Sequence, residues 1–241
     1  MAMSPRLLRP RASGFNPKTI ANLAAWYDAS VATSITIQTG VQQWSDLSGN
    51  GRHLVQNITN NQPAYTTGAI NGKPVVDFDG TNDSLRTAGF TLNQPFTYFM
   101  VFKVDSSTIS GTPRLLDAGG SGVRSGEFFL NFANDMRFFS GASLVPPAMT
   151  AGSYLTYALY EATFNGTQSR FRATAGNVDS TGNAGTNNGS RLTLAADSNA
   201  TPGSPANISV AEVLIYNSVP TSSEASKVRA YLGNKYNVTY L

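Results

Sequence analysis

Carboxylates are the side chains of this sequence best placed to do chemistry. Asp77-Phe78-Asp79 closes an apolar run with two carboxyl groups two residues apart. On a strand both leave the same face, the arrangement that paired acid and base work at a glycosidic bond would use. Asp79, however, precedes Gly80 and reads as a turn residue, so the pair is read as structural. Asp77, Asp79 and Asp83, with Asn82, also make an oxygen-rich run, and Ca2+ takes about six to eight such ligands. The preferred reading is a set of Asx turns closing a strand, with no cofactor expected and Ca2+ kept as the metal candidate. His53 is the only histidine. A Ser-His-Asp triad would have to use it, but it follows a Gly-Arg turn and no nucleophile elbow is present, so it reads as a loop residue. Glu212 lies inside an apolar strand and is expected to point to solvent from the outer face. Tyrosines could stack on sugars, but core placement is the default for most of the ten. The absence of cysteine removes disulfides, thiolate zinc sites and cysteine nucleophiles.

A different kind of chemistry sits at the N-terminus. Arg6-Leu7-Leu8-Arg9-Pro10-Arg11 combines charge with apolar bulk, and proline forbids regular pairing. Residues 1–15 are read as an extended arm. Arg6, Leu7, Leu8, Arg9 and Arg11 are the candidate anchor to an acidic partner surface. Of the 17 basic residues, three lie in this arm, and the other 14 balance the 14 acids. The net charge of +3 therefore belongs to the tail, and a nucleic-acid partner is not expected. Nor is a membrane partner: no run of about 18 apolar residues is present. The basic N-terminus lacks an apolar stretch behind it, so a signal peptide is not expected.

The 241 residues, 41% hydrophobic and 13% charged, suit one large domain. Asn16-Pro17 reads as a helix start over about 17–23. From there the signal is almost wholly β. Strands are predicted over 24–28, 41–44, 73–78, 84–86, 96–104, 114–117, 127–132, 136–139, 154–164, 167–174, 191–195 and 208–216. The run 96–104 (FTYFMVFKV) is apolar on both faces and so central in a layered structure. Asn165-Gly166 predicts a type I′ hairpin turn, and 175–189 reads as a long loop. Val228, Tyr231, Leu232 and Tyr236 recur on one face of a C-terminal helix capped by Ser222 or Ser223 and ending near Gly233-Asn234. About a dozen short strands in one uninterrupted stretch predict a single β-sandwich using its first and last strands together.

Three ordered segments carry a family resemblance: Leu23-Ala24-Ala25-Trp26-Tyr27-Asp28-Ala29, then Trp44 to Leu54 (WSDLSGNGRHL), then Asn71 to Leu85 (NGKPVVDFDGTNDSL). With Ala211 to Asn217 (AEVLIYN) and the Tyr231-Leu232…Lys235-Tyr236 helix, they resemble the LamG-like, concanavalin A-like lectin/glucanase superfamily, in the form met in phage virion and bacterial surface proteins. The resemblance covers about residues 16–240 and implies an all-β jelly-roll sandwich of two antiparallel sheets, with Trp26, Trp44, Phe78, Phe96 and Tyr98 in the core. Catalytic members carry Glu-x-Asp-x-x-Glu or Glu-x-Asp-x-Glu. Here Glu127, Glu161, Glu212 and Glu224 match neither, so no enzyme is expected, with a glycoside hydrolase using Asp77 or Glu127 as the remote alternative. LamG-like domains often hold one Ca2+. The resemblance and the missing leader together imply a virion structural protein, a capsid decoration or head fibre assembled in the host cytoplasm. Its expected partners are capsid protein through the arm and further copies of itself. The alternative is a tail or tail-fibre module, or adhesin, binding surface glycan.

Overall fold

The structure is a computed structural model that describes residues 14–106, 111–120, 122–131, 135–146, 153–199 and 201–240. The chain order is β1 (Leu23–Asp28), β2 (Ile35–Ile37), β3 (Val41–Trp44), β4 (Leu54–Val55), β5 (Ala64–Ile70), β6 (Lys73–Asp79), β7 (Leu85–Arg86), β8 (Phe96–Val104), β9 (Arg114–Asp117), β10 (Glu127–Leu130), β11 (Met136–Phe139), β12 (Ser143–Leu144), β13 (Ala158–Phe164), β14 (Ser169–Ala173), β15 (Val178–Gly182), β16 (Thr193–Leu194), β17 (Asn207–Tyr216) and α1 (Ser222–Tyr236). One eight-stranded sheet runs β15-β14-β13-β8-β17-β6-β5, with β1 also on β17. The other, nine-stranded, runs β12-β11-β10-β9-β16-β7-β4-β3-β2. Every strand pair is antiparallel. The architecture is the expected jelly-roll sandwich, and the first and last strands do pair.

The main core lies between the sheets, where Trp44, Phe78, Phe96, Tyr98, Phe102 and Phe128 are fully buried. A second apolar layer covers the outer face of the eight-stranded sheet. There Phe99, Val101, Leu159, Leu214 and Tyr216 meet Val228, Leu232 and Tyr236 of α1. This second layer is why 96–104 is apolar on both faces: its alternate residues face two different cores.

A bulge in β17 decides what lies beneath the helix. Against β8, Val210 pairs with Phe102 and Glu212 with Val101, leaving Ala211 unopposed. The extra residue flips the alternation. Ile208 and Val210 face the main core before it, Val213 and Ile215 after it. Glu212 is thereby aimed at the outer face as predicted, but α1 covers that face, so its exposure is 0%. The expectation of a solvent-facing Glu212 is corrected, because outward from a sheet is not outward from the protein when a helix lies on it. Its oxygens accept from Trp26 Nε1 (2.8 Å), Tyr231 OH (2.9 Å), Tyr236 OH (2.8 Å) and Lys235 Nζ (2.6 Å). Lys235 also pairs with Asp28, directly across from Glu212 on β1. Burial first, then the Asp28 charge, holds the Glu212 pKa above its ordinary value, while Lys235 and Trp26 pull it down.

Other local differences have equally local causes. Trp26, expected in the core, faces outward and is half-buried, because its indole N–H serves Glu212. The first helix is only a 3-10 turn over Pro17–Thr19, capped by Asn16, since Ile20 already turns extended. The 165–166 hairpin exists, but its loop is a 3-10 turn over Gly166–Gln168 closed by Ser169 Oγ on the Asn165 amide (2.9 Å), not a two-residue turn. β15 lies inside the predicted loop 175–189, pairing with β14 despite its polar sequence. The predicted strand 154–164 begins only at Ala158, after a 3-10 turn at Ser153–Leu155. Thr221, not Ser222 or Ser223, caps α1 in a capping box with Glu224, and the helix runs past Gly233 to Tyr236 with Asn237 left-handed after it.

Candidate functional site

Arg6, Leu7, Leu8, Arg9 and Arg11 lie outside the described residues. Described structure begins at Gly14, and Phe15 packs on Tyr231 of α1 with ring centroids 5.5 Å apart. Asp77, Asp79 and Asp83 do not converge. Asp79 accepts from the amides of Thr81 (2.7 Å) and Asn82 (3.3 Å), and Asp83 accepts from the Asp79 amide (3.1 Å). Asp77 turns instead to Ser209 Oγ (3.1 Å). No group of three or more metal-ligating side chains forms among the described residues. His53 accepts from the Asp46 amide through Nδ1 (3.1 Å). Glu161 is tied to Arg229 of α1 (2.6 Å).

The residues that do converge lie on the outer face of the nine-stranded sheet. The register places them in two rows. β7 sets Arg86 opposite Thr193, Thr193 is opposite Asp117, and Glu127 is opposite Phe139. In the next row Phe129 stands between Arg114 and Arg137. A bulge between Phe128 and Phe129 keeps both Leu115 and Leu116 in the core while turning Arg114 out. At one side Gly120 and Val123 exchange backbone hydrogen bonds (3.0 Å each). A Cβ on Gly119 would meet the Val123 carbonyl oxygen at 1.9 Å, so only glycine fits there.

Together these elements line a cleft of about 230 Å³ walled by Arg114, Asp117, Arg124, Glu127, Asp197 and Asn199. Glu127, 1% exposed, anchors it. Arg124 Nε donates to both Glu127 oxygens (2.9 Å each) and Nη2 to Oε2 (2.5 Å), and Arg114 Nε lies 3.5 Å away. The guanidinium of Arg114 lies 4.6 Å from the Phe129 ring centre, and that of Arg124 lies 4.3 Å from Phe139 and 5.3 Å from Phe129. The rings hold these planar forks by cation–π contact. Asp117 accepts from the amides of Gly119 (2.7 Å) and Ser198 (2.8 Å). The cleft thus presents fixed charged donors beside fixed acceptors, a set suited to hydroxyl groups.

Burial, then the Glu127 charge, pushes the Asp117 pKa from 3.8 up to about 6, against its backbone hydrogen bonds and Arg114. A raised carboxyl pKa favours the fold most when the group is protonated. The stability linked to Asp117 is therefore full below about pH 4 and is lost as pH rises to about 6. The shift corresponds to on the order of 2–3 kcal/mol. Urea unfolding of the protein and of Asp117→Asn at pH 4 and pH 7 checks this: the variant should lack that part of the loss on going to pH 7.

In the sequence Glu127 stands out as a Glu outside any glycosidase signature and as the acid of the remote hydrolase alternative, and nothing marks Arg114, Asp117, Arg124 or Phe129. Their signal is faint, since each strand contributes four residues and a bulge interrupts the alternation.

No family model matches the sequence, and no curated protein matches it. Solved structures do. Trypanosoma rangeli sialidase in complex with the inhibitor DANA aligns at TM-score 0.58 and 16% identity, covering 90% of this chain and 34% of that one. This chain thus spans about a third of the sialidase. Domain 4 of AbnA, a GH43 extracellular arabinanase from Geobacillus stearothermophilus, in complex with arabinotriose, aligns at TM-score 0.58 and 15% identity, covering 87% of this chain and 98% of that domain. The botulinum neurotoxin serotype C1 binding domain aligns at TM-score 0.60 and 8% identity, covering 92% and 54%. The class of fold is therefore a jelly-roll sandwich of two antiparallel sheets.

Proposed function

We propose that this domain is a non-enzymatic saccharide-binding module, displayed on a phage particle as a capsid decoration or head fibre. The observation that carries the binding role is the cleft on the nine-stranded sheet, where Arg114, Arg124, Asp117 and Glu127 offer donors and acceptors held in place by Phe129 and Phe139. The similar arabinanase domain holds arabinotriose, which supports a sugar ligand for this sandwich. The reading of binding rather than hydrolysis is supported by how the acids are held: Glu127 is forked by Arg124, and Asp117 accepts two backbone amides.

The position of Phe15 is compatible with such display. Phe15 sits against α1, on the face of the sandwich opposite the cleft. An arm anchored to capsid protein through its arginines would leave the cleft pointing away from the particle.

A glycan array probed with the full chain and with Arg124→Ala tests the reading. Binding of at least one oligosaccharide is expected, weakened about tenfold or more by the substitution, the worth of one charge-assisted hydrogen bond. An array without signal would remove the sugar-binding role.

A further inference from the structure

Two arginines beside the cleft form no direct ion pair among the described residues, although Asp197 and Asp117 lie near enough to act on the charge of one of them, Arg86. Arg86 on β7 faces Thr193, and Arg191 lies two residues before Thr193, so both leave the same outer face as diagonal neighbours. Neither makes an ion pair, and the Nε of each is buried without a hydrogen-bond partner among the described residues. Burial and then the Arg191 charge hold the Arg86 pKa below its ordinary value, while Asp197 and Asp117 pull it the other way.

The nearby acids are engaged elsewhere. Asp197 accepts from the amides of Asn199 (3.2 Å) and Gly203 (3.0 Å), Asp117 from Gly119 and Ser198, and Glu127 is held by Arg124. Arg86 Nη2 donates to the Asn199 carbonyl (2.6 Å), and Asn199 also walls the cleft. Arg86 is thereby tied to the wall of the cleft, with the like charge of Arg191 acting on it.

We infer that Arg86 and Arg191 clamp a carboxylate or sulfate group carried by a saccharide whose ring lies in the adjoining cleft, so that the domain selects acidic over neutral glycans. The inference rests on the saccharide-binding reading above. Planar guanidinium forks match such oxyanions in geometry as well as charge. An anion relieves the repulsion between the two arginines, and a neutral hydroxyl does not. The division of charge also sets the pose. Asp117, Glu127 and Asp197 repel an anion inside the cleft, while the hydroxyl-matching donors and acceptors there take the ring. A saccharide joins both parts in one molecule, which commits the site to a glycan rather than to an acidic protein surface.

The test is titration calorimetry of the full chain with a neutral oligosaccharide, its uronic-acid counterpart, its sulfated counterpart and inorganic sulfate. The acidic sugars should bind about tenfold or more tighter than the neutral one, as one further charge-assisted hydrogen bond would give. The advantage should shrink with salt. Arg86→Gln and Arg191→Gln should each erase the preference and leave neutral-sugar affinity unchanged, with unaltered circular dichroism and melting. Arg86→Lys, which keeps charge but loses the fork, should retain part of it. Equal affinity for neutral and acidic sugars, or a preference that survives both glutamine variants, overturns the clamp and leaves the saccharide reading standing. Sulfate alone binding as tightly as the sulfated sugar overturns the ring-and-clamp pose. Binding of none of the sugars overturns the saccharide reading, and the clamp with it.

Discussion

Replacing Lys235 with methionine is expected to destabilise the domain by about 3–5 kcal/mol, the usual consequence of removing one partner from a buried ion pair. Lys235 is the cation between Asp28 and Glu212, and both acids are almost without exposure. Without it, two carboxylates on paired strands face each other beneath a helix. The Glu212 pKa, already raised by burial and by Asp28, loses a partner that pulls it down. The sign of the pH dependence follows. The penalty in Lys235→Met should be largest at neutral pH and should fall on acidification, as Glu212 takes up the proton that its burial favours. Adding Glu212→Gln should recover part of the loss by leaving one buried charge in place of two. Urea midpoints of the three proteins at pH 5 and pH 7 measure this. A midpoint for Lys235→Met equal to that of the parent would show that the cluster does not hold α1 to the sheet.

The second large effect separates two neighbouring phenylalanines. Phe128 is fully buried between the sheets, with Phe138 at 4.4 Å and Phe171 at 6.1 Å between ring centres. Phe128→Ala should cost about 3–5 kcal/mol, the transfer and cavity penalty of a large core side chain. Phe129 points the other way, beneath Arg114 and Arg124. Phe129, 8% exposed, lies outside the core between the sheets, and Phe129→Ala should cost less, about 2–3 kcal/mol, from its lost burial and two cation–π contacts, yet weaken saccharide binding more than tenfold by releasing both guanidinium groups. Denaturant unfolding and glycan titration on the same two variants check the split. A reversed order would mean that the register of β10 is one residue off, since a single-residue slip exchanges the two faces.

Much of the fold was legible in the sequence because its signals are local. Turn residues bracket Val41–Trp44 and Lys73–Asp79, and the doubly apolar run Phe96–Val104 marked the strand at the centre of the eight-stranded sheet. The helical face Val228, Leu232 and Tyr236 buries as its spacing required. What misled was polarity read as a proxy for position. β15 is polar because it is an edge strand, and Trp26 is outward because it serves a buried acid.

The sequence by itself thus determined the class of fold, the neutral body with its charge in the arm, and the identity of the strands that alternate cleanly. Only the tertiary structure decided which charged residues act together. Arg86, Arg114, Asp117, Arg124, Glu127 and Arg191 come from four stretches of chain and meet through antiparallel register and one bulge. Glu212, Asp28 and Lys235 meet because a second bulge and a covering helix close over them. Local propensity acts along the chain, whereas electrostatic and hydrogen-bonding partnerships act through space, and a sandwich sets those partnerships only when its sheets and helix are in place.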